Sequence, residues 1–377
     1  MEICYDKLLG QGCFGRVYFA RMMTIWPNAM IALKRLRYMT HEPLYPLLRH
    51  EACALVLLQG HPSIPTAYAY GASQHYEYLA LQLLGETLHS HFVMSSNRLA
   101  MRDLAAIAYQ MLDVLEHVHS RGIVHCDLSL KNIMFDFPGP SARIYLIDFG
   151  LCLSYLDKST GRHRPDEKMP RVRGTYLYAS LNNHLHHTPS RRDDLEALAY
   201  VLIRLLRGGL PWQGVRTSAE LYEKKRSWSG AGLCAGWPAV SGECLDYCRT
   251  LDYDETPDYQ RWKRSFASAT RHFTGWFDMW DKTNCVGSVR DATAPICLPT
   301  AESLAESVPW RSVMSRFDSY EPLTEFEAVY TLSAEDMLAP SEQEVISTGL
   351  YSLSRVPLSD RPYLTADCSP ERLVGPN

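Results

Sequence analysis

A chain of 377 residues with 46% apolar and 21% charged side chains is long enough for two cores and too apolar to be disordered throughout. Its net charge of −4 hides a division: residues 276–377 hold seven Lys+Arg against sixteen Asp+Glu, a net −9, which leaves +5 on residues 1–275. No apolar run is long enough to span a bilayer and no signal peptide stands at Met1-Glu2-Ile3-Cys4, while eleven scattered cysteines form no CxxC pair or His/Cys cluster. Reduced thiols, no zinc site, a cytosolic or nuclear setting, a monomer and no nucleic-acid partner are the expectations.

The first element is Leu8-Leu9-Gly10-Gln11-Gly12-Cys13-Phe14-Gly15-Arg16-Val17-Tyr18-Phe19-Ala20. Strand-forming residues flank a glycine-rich turn, so the pattern predicts a hairpin. Glycines at 10, 12 and 15 would let backbone N–H groups approach phosphates. Ile31-Ala32-Leu33-Lys34 predicts a following strand. A lysine at the end of an apolar strand is costly to bury unless paired, and Glu51 on a predicted helix is the available partner. Surface placement of both charges is the bland alternative.

Gly60-His61-Pro62-Ser63-Ile64-Pro65 breaks that helix, and strands are predicted over residues 67–70 and 76–84. A core helix is predicted over residues 104–119. It leads into His125-Cys126-Asp127-Leu128-Ser129-Leu130-Lys131-Asn132. An acid and an amide five positions apart in a tight loop suit a proton acceptor beside a metal ligand. The strand-like run Ile144-Tyr145-Leu146-Ile147 then ends in Asp148-Phe149-Gly150, a second acid suited to a hard cation.

A polar, basic loop with Lys158, Arg162, Arg164, Lys168, Arg171 and Arg173 follows. Residues 195–206 predict a strongly apolar helix. Further helices are predicted over residues 244–251 and from Pro257-Asp258-Tyr259 to about residue 273. Beyond Trp276 periodicity fades into Ser, Thr, Pro and acid, so a flexible tail is expected, with one short helix near 323–330.

The two acid-bearing segments resemble the protein-kinase catalytic loop and metal-binding triplet. Residues 5–275 resemble the casein kinase 1 family of serine/threonine protein kinases. The resemblance rests on Ala179-Ser180-Leu181-Asn182, Ser190-Arg191-Arg192-Asp193-Asp194-Leu195-Glu196, Leu210-Pro211-Trp212-Gln213-Gly214, Glu223-Lys224-Lys225 and Pro257-Asp258-Tyr259, in that order. It implies an α+β, two-lobed kinase fold: an N-lobe over residues 1–84 with a small antiparallel sheet and a helix, a larger, mainly helical C-lobe over 85–275, and the tail over 276–377.

The resemblance also implies roles. Leu9, Gly10, Gly12, Gly15, Val17, Ala32, Lys34, Glu51, Gln82 and Leu84 would bind ATP, with the backbone around Gln82–Leu84 meeting the adenine edge. Asp127 would be the catalytic base. Asn132 and Asp148 would hold Mg2+. Asp194 would brace the catalytic loop, and Arg249 would form a structural ion pair. Protein hydroxyls would be the acceptors, acidic or phospho-primed ones included.

Three departures stand out. Cys126 replaces the usual arginine before the base. Ser129 replaces the usual lysine two after it, with Lys131 as the candidate substitute. Leu177 replaces the family's anion-reading arginine, so Arg171, Arg173, Lys224 and Lys225 are the candidates for a rebuilt anion pocket. A weakly active kinase, or a nucleotide-binding scaffold, is the alternative these departures leave open.

Overall fold

Two-residue alternation builds the first half of the chain. In β2 (Gly15–Met22), Tyr18, Ala20 and Met22 are buried on one face, and Val17 and Phe19 lie half-buried on the other. The computed structural model pairs β2 antiparallel with both β1 (Ile3–Gly12) and β3 (Met30–Arg37). Registers Val17↔Lys34 and Phe19↔Ala32 put Lys34 and Ala32 on the second face. The structure describes residues 3–12, 15–22, 29–37, 47–72, 75–95, 99–137, 143–157 and 160–269, together with the short strands at 344–346 and 351–352.

Helix α1 (Leu47–Leu58) buries Leu48, Ala52, Leu55 and Leu58, spaced for one helical face. Strands β4 (Ala67–Ala72) and β5 (Tyr76–Gln82) complete the sheet, with β5 beside β3. Regular pairing stops at Gln82. The chain then enters α2 (Leu88–Met94), capped by Thr87, whose Oγ1 accepts from Ser90 N.

The second half is mostly helical. Helix α3 (Met101–Ser120) delivers the chain to β6 (Ile123–Val124), then to β7 (Ile133–Phe135), β8 (Ile144–Leu146), a 3-10 turn at Phe149–Leu151 and β9 (Leu153–Ser154). Two ribbons result, β6 with β9 and β7 with β8. They clamp residues 125–132 and 147–152 side by side. Next come α4 (Leu181–His184), α5 (Arg191–Arg207), α6 (Ser218–Arg226), α7 (Gly230–Leu233), α8 (Val240–Thr250) and α9 (Tyr259–Ala269). Helix α5 is the axis of this half: every residue from Asp193 to Ile203 is buried. Gly208, in the left-handed region at φ 86°, ends it.

An antiparallel sheet with one helix thus stands above a helical body, the α+β two-lobed arrangement that the motifs imply. Within the tail, β10 (Glu344–Ile346) pairs with β1, and β11 (Tyr351–Ser352) pairs with β4. The helix expected near 323–330 lies outside the described residues, as does the stretch from 270 to about 273 that would have extended α9.

Candidate active site

Lys34 sits at the centre of the cleft face of the sheet. Its Nζ meets Glu51 Oε2 at 2.7 Å and Asp148 Oδ1 at 2.9 Å, so one ammonium joins β3, α1 and the segment after β8. Lys34 is 7% and Glu51 2% exposed. Burial alone would strip the Lys34 proton, but Asp148 and Glu51 outweigh it and hold the pKa above the ordinary lysine value. The expected ion pair is present, and it is a triad.

Asp148 takes φ 65° and ψ 67°, the left-handed region, which a non-glycine residue enters at a cost of roughly 1–3 kcal/mol. The bond from Lys34 holds its carboxylate there. Val17 and Ala32 share the Lys34 face of the sheet, half-buried, and Leu9 is exposed on the hairpin. A Cβ on Gly10 or Gly12 would meet nothing within 4 Å, whereas one on Gly15 (φ +102°) would fall 2.2 Å from the Arg35 carbonyl oxygen. Gly15 is therefore required by packing, and the other two leave open space over the cleft. Cys13 and Phe14 lie outside the described residues.

At the end of the sheet, Leu83 and Leu84 are buried. The Gln82 side chain is occupied with structure: its Oε1 accepts from Thr66 N at 3.2 Å, and its Nε2 donates to Tyr145 Oη at 3.2 Å. Gly85 N donates to the Phe135 carbonyl at 2.8 Å, and a Cβ there would crowd Asp136 O at 2.7 Å. The connector is thereby tied to β7, next to the loop that carries the Asp127–Asn132 pair.

That loop is held from below. Asp194, 2% exposed near the start of α5, accepts His125 N on Oδ2 at 2.7 Å and Cys126 N on Oδ1 at 2.9 Å. Oδ2 also meets His119 Nε2 at 2.9 Å, and His119 Nδ1 shares a 2.5 Å hydrogen bond with the Tyr259 hydroxyl of α9. These bonds hold Asp194 below the usual carboxylate pKa in spite of burial. His125 Nδ1 accepts from Asp127 N at 3.2 Å, which leaves Nε2–H to donate to the Ile147 carbonyl at 3.0 Å and couples the two acid-bearing segments.

Asp127 itself is half-buried. Its Oδ1 accepts twice from Thr175, from N and from Oγ1, both at 2.7 Å. Its Oδ2 accepts from Asn132 Nδ2 at 3.1 Å. Gly174, at φ +79°, makes the Thr175 approach possible: a Cβ there would fall 2.3 Å from the Cys126 carbonyl oxygen. The Asn132 amide also donates to the Asp127 carbonyl at 2.8 Å, which turns its oxygen away from the Asp127 carboxylate. Lys131 is exposed beside this pair, and Ser129 is buried.

The four cations proposed for an anion pocket do not converge. Lys225 is fully buried: its Nζ donates to Tyr176 O at 2.8 Å and Ala179 O at 2.6 Å, and meets His184 Nε2 at 3.1 Å. Arg173 turns inward, with Nη1 on the Leu151 carbonyl at 3.1 Å. Arg171 and Lys224 are exposed. Lys225 is a candidate for that pocket together with its neighbour Lys224. One step along a helix turns a side chain by about 100°, and here that step takes it into the core.

Several site residues carry no motif of their own. Thr175 holds the Asp127 carboxylate, yet in sequence it is one threonine after a glycine. His50, one residue before Glu51, meets the Cys152 carbonyl through Nε2 at 3.0 Å. Burial pushes the His50 pKa down to about 4, and the Arg173 charge adds to the shift. Arg249 meets Glu196 as expected, Nε to Oε1 at 3.6 Å, and also donates to Trp228 O, Lys225 O and Tyr200 Oη. Burial pushes the Cys126 and Cys152 thiols well above their ordinary pKa, so neither is an activated nucleophile.

Comparison with known proteins agrees with this geometry. Residues 4–251 match the model of the protein kinase domain. Over 270 residues, 70% of this chain and 60% of the relative, the sequence is 36% identical to casein kinase I homolog 3 of Schizosaccharomyces pombe (strain 972 / ATCC 24843). The chain thus aligns with less than two thirds of that relative's length. The buried Lys34–Glu51–Asp148 triad, the braced Asp127–Asn132 loop and the family match have one explanation, and the chain belongs to the protein kinase domain family.

Proposed function

We propose that the protein transfers the γ-phosphate of ATP to serine and threonine hydroxyls of protein substrates, as a casein kinase 1-type enzyme. The observation that carries this reading is the Lys34 triad facing an Asp127 carboxylate with spare capacity. Among the described residues, three of the four lone-pair sites of Asp127 are taken, two on Oδ1 and one on Oδ2. The remaining Oδ2 site is the one open to a substrate hydroxyl. Asp127 would orient that hydroxyl and accept its proton as the oxygen attacks phosphorus.

Lys34 would hold the α- and β-phosphates, under the hairpin that carries Leu9, Gly10, Gly12, Gly15 and Val17. Ala32 and Leu84 would border the adenine, beside Gln82. Among the described residues no cluster of three or more His, Cys, Asp or Glu forms a metal site. Asp148 and Asn132 nevertheless fit Mg2+, which takes one or two protein oxygens and keeps waters and phosphates for the rest. When bound, it would neutralise phosphate charge. Lys131 is the exposed cation that stands in for the lysine missing at Ser129.

Among the described residues no helix is long and apolar enough to cross a membrane. Among the described residues seven cysteines are free thiols, Cys126 and Cys152 among them, which favours a reducing compartment, cytoplasmic or nuclear. Of the four cations proposed for an anion pocket, Arg171 and Lys224 are the exposed ones on which a preference for acidic or primed substrates would rest. The competing reading, a weakly active kinase or nucleotide-binding scaffold, draws on Cys126 and Ser129. Phosphoamino-acid analysis of casein incubated with γ-labelled ATP separates the two. The proposal predicts phosphoserine and phosphothreonine, and nucleotide binding without incorporation would favour the scaffold.

A further inference from the structure

Resting on the kinase reading, we propose that Arg173 is a positioning residue: with Thr175, two residues on, it fixes the separation of the base Asp127 from the metal ligand Asp148. The two residues flank Gly174, and each ties one acid-bearing segment. Thr175 holds Asp127 Oδ1 through two bonds of 2.7 Å. Arg173 Nη1 donates to the carbonyl of Leu151, three residues after Asp148, at 3.1 Å. A stretch of three residues thus sets one acid relative to the other.

Arg173 reaches from a fixed base. Its N donates to Asn183 Oδ1 at 3.0 Å, and its carbonyl accepts from Asn183 Nδ2 at 2.8 Å. Asn183 is buried in α4, where its own N donates to Ser180 Oγ at 3.0 Å, and Ser180 Oγ donates to Asp193 Oδ1 of α5 at 2.5 Å. The next residue of α5, Asp194, braces the base loop through His125 N and Cys126 N. The Arg173 anchor and the base loop are therefore referred to the same helix.

The far end is held from two sides. His50 Nε2 donates to the Cys152 carbonyl at 3.0 Å, so the consecutive carbonyls of Leu151 and Cys152 are taken by Arg173 and by α1. His50 adjoins Glu51, which reaches Asp148 through Lys34. The left-handed backbone of Asp148, φ 65° and ψ 67°, persists only where its surroundings over-determine it, and the two carbonyl anchors do so from the segment that follows. Burial dominates the titration of His50, Cys126 and Cys152, and in all three the Arg173 charge pulls the pKa down, which places the guanidinium among them. Cys126 brings no charge of its own to that space, its Sγ turned to the Val124 carbonyl at 3.6 Å. A charged donor holds a carbonyl more strongly than a neutral one, which suits arginine to the task.

The experiment uses the full chain and its Arg173→Met, Arg173→Gln and Arg173→Lys variants, with folding checked by circular dichroism. Methionine keeps the reach and removes charge and donors; lysine keeps a charged donor. Three quantities are read: the His50 titration by NMR without metal, Mn2+ affinity by electron paramagnetic resonance with a non-hydrolysable ATP analogue, and kcat and KM on casein. In Arg173→Met the His50 pKa should rise from about 4. Mn2+ affinity should fall about ten-fold, as expected when a metal ligand loses its support. The kcat should fall by about ten-fold with the casein KM little changed. Arg173→Lys should recover part of both losses. Should the methionine variant fail to fold, Arg173→Gln, which loses the charge and keeps a donor, carries the same expectations. A folded uncharged variant with wild-type Mn2+ affinity and kcat, or with an unmoved His50, would overturn the proposal, and a lowered melting temperature alone would leave Arg173 a structural arginine. A wild type that binds Mn2+ with the analogue, loses that affinity in Arg173→Met and never labels casein would count against the kinase reading alone.

Discussion

Thr175 and Asp127 are joined by two hydrogen bonds to a single carboxylate oxygen, each 2.7 Å long. One comes from the backbone and one from the side chain, so the Asp127 loop and the segment after Gly174 are tied at two points. The arrangement saturates Oδ1 and reserves Oδ2. Thr175→Val keeps the backbone bond and removes the hydroxyl. We predict a fall in kcat of about 10-fold with the ATP KM little changed, since the lost bond orients the base and does not touch nucleotide. Steady-state kinetics with casein checks this, and an unchanged kcat would show that the backbone bond alone suffices.

Lys131 is the exposed cation next to the Asp127–Asn132 pair. If its charge reaches the transferring phosphoryl group, Lys131→Ala lowers kcat by about 10- to 100-fold and Lys131→Arg retains most of it, since charge at the transition state is what counts. The two variants are compared at saturating ATP. Equal kcat in both would mark Lys131 as a solvated lysine.

His50 gives a pH signature in stability. Its pKa is depressed from 6.5 to about 4, so between these values the unfolded chain takes up a proton that the folded chain refuses. Stability contributed by neutral His50 is present above pH 6.5 and is lost as pH falls toward 4. Urea midpoints measured across this window should drop more steeply in the wild type than in His50→Gln. Parallel slopes would remove His50 from the account.

Lys225 gives the opposite edge, in activity. Burial lowers it to about 7, while its Nζ donates to two carbonyls and, with the His184 Nε2 lone pair as the acceptor, to a third partner, a set of three donors that only the ammonium has. As pH rises through about 7, one donor is lost and the segment behind Tyr176 loosens. The prediction is a decline in casein turnover on the alkaline side that is absent in Lys225→Arg, whose charge does not titrate there. A pH–rate profile of both proteins decides it.

What could be read from the sequence followed from spacing and period. Lys34 and Glu51 pair on sequence alone because an apolar strand ending in lysine demands a counter-charge, and Asp127, Asn132 and Asp148 stand in a pattern with one known use. The strands and long helices announced themselves by alternation or by a 3.6-residue stripe. Helices α4 and α7, of four residues each, have no room for a stripe, and α6, polar along most of its length, shows none, so the pattern predicts none of the three. Thr175, His50, Tyr259 and the inward turns of Lys225 and Arg173 were illegible for a different reason. Each is fixed by a partner far along the chain, 140 residues away for His119 and Tyr259, and no local pattern encodes which way such a side chain turns.

The central claim is that Asp127 is the base of an ATP-dependent phosphotransfer to protein. Its most direct test is incorporation of label from γ-labelled ATP into casein by the full chain and by Asp127→Asn, with nucleotide affinity and circular dichroism measured on both. Asparagine keeps the shape and still accepts from Thr175, but it cannot take a proton. The account predicts that Asp127→Asn folds, binds ATP as the wild type does, and loses incorporation by about 100-fold or more. Wild-type incorporation by Asp127→Asn would contradict it.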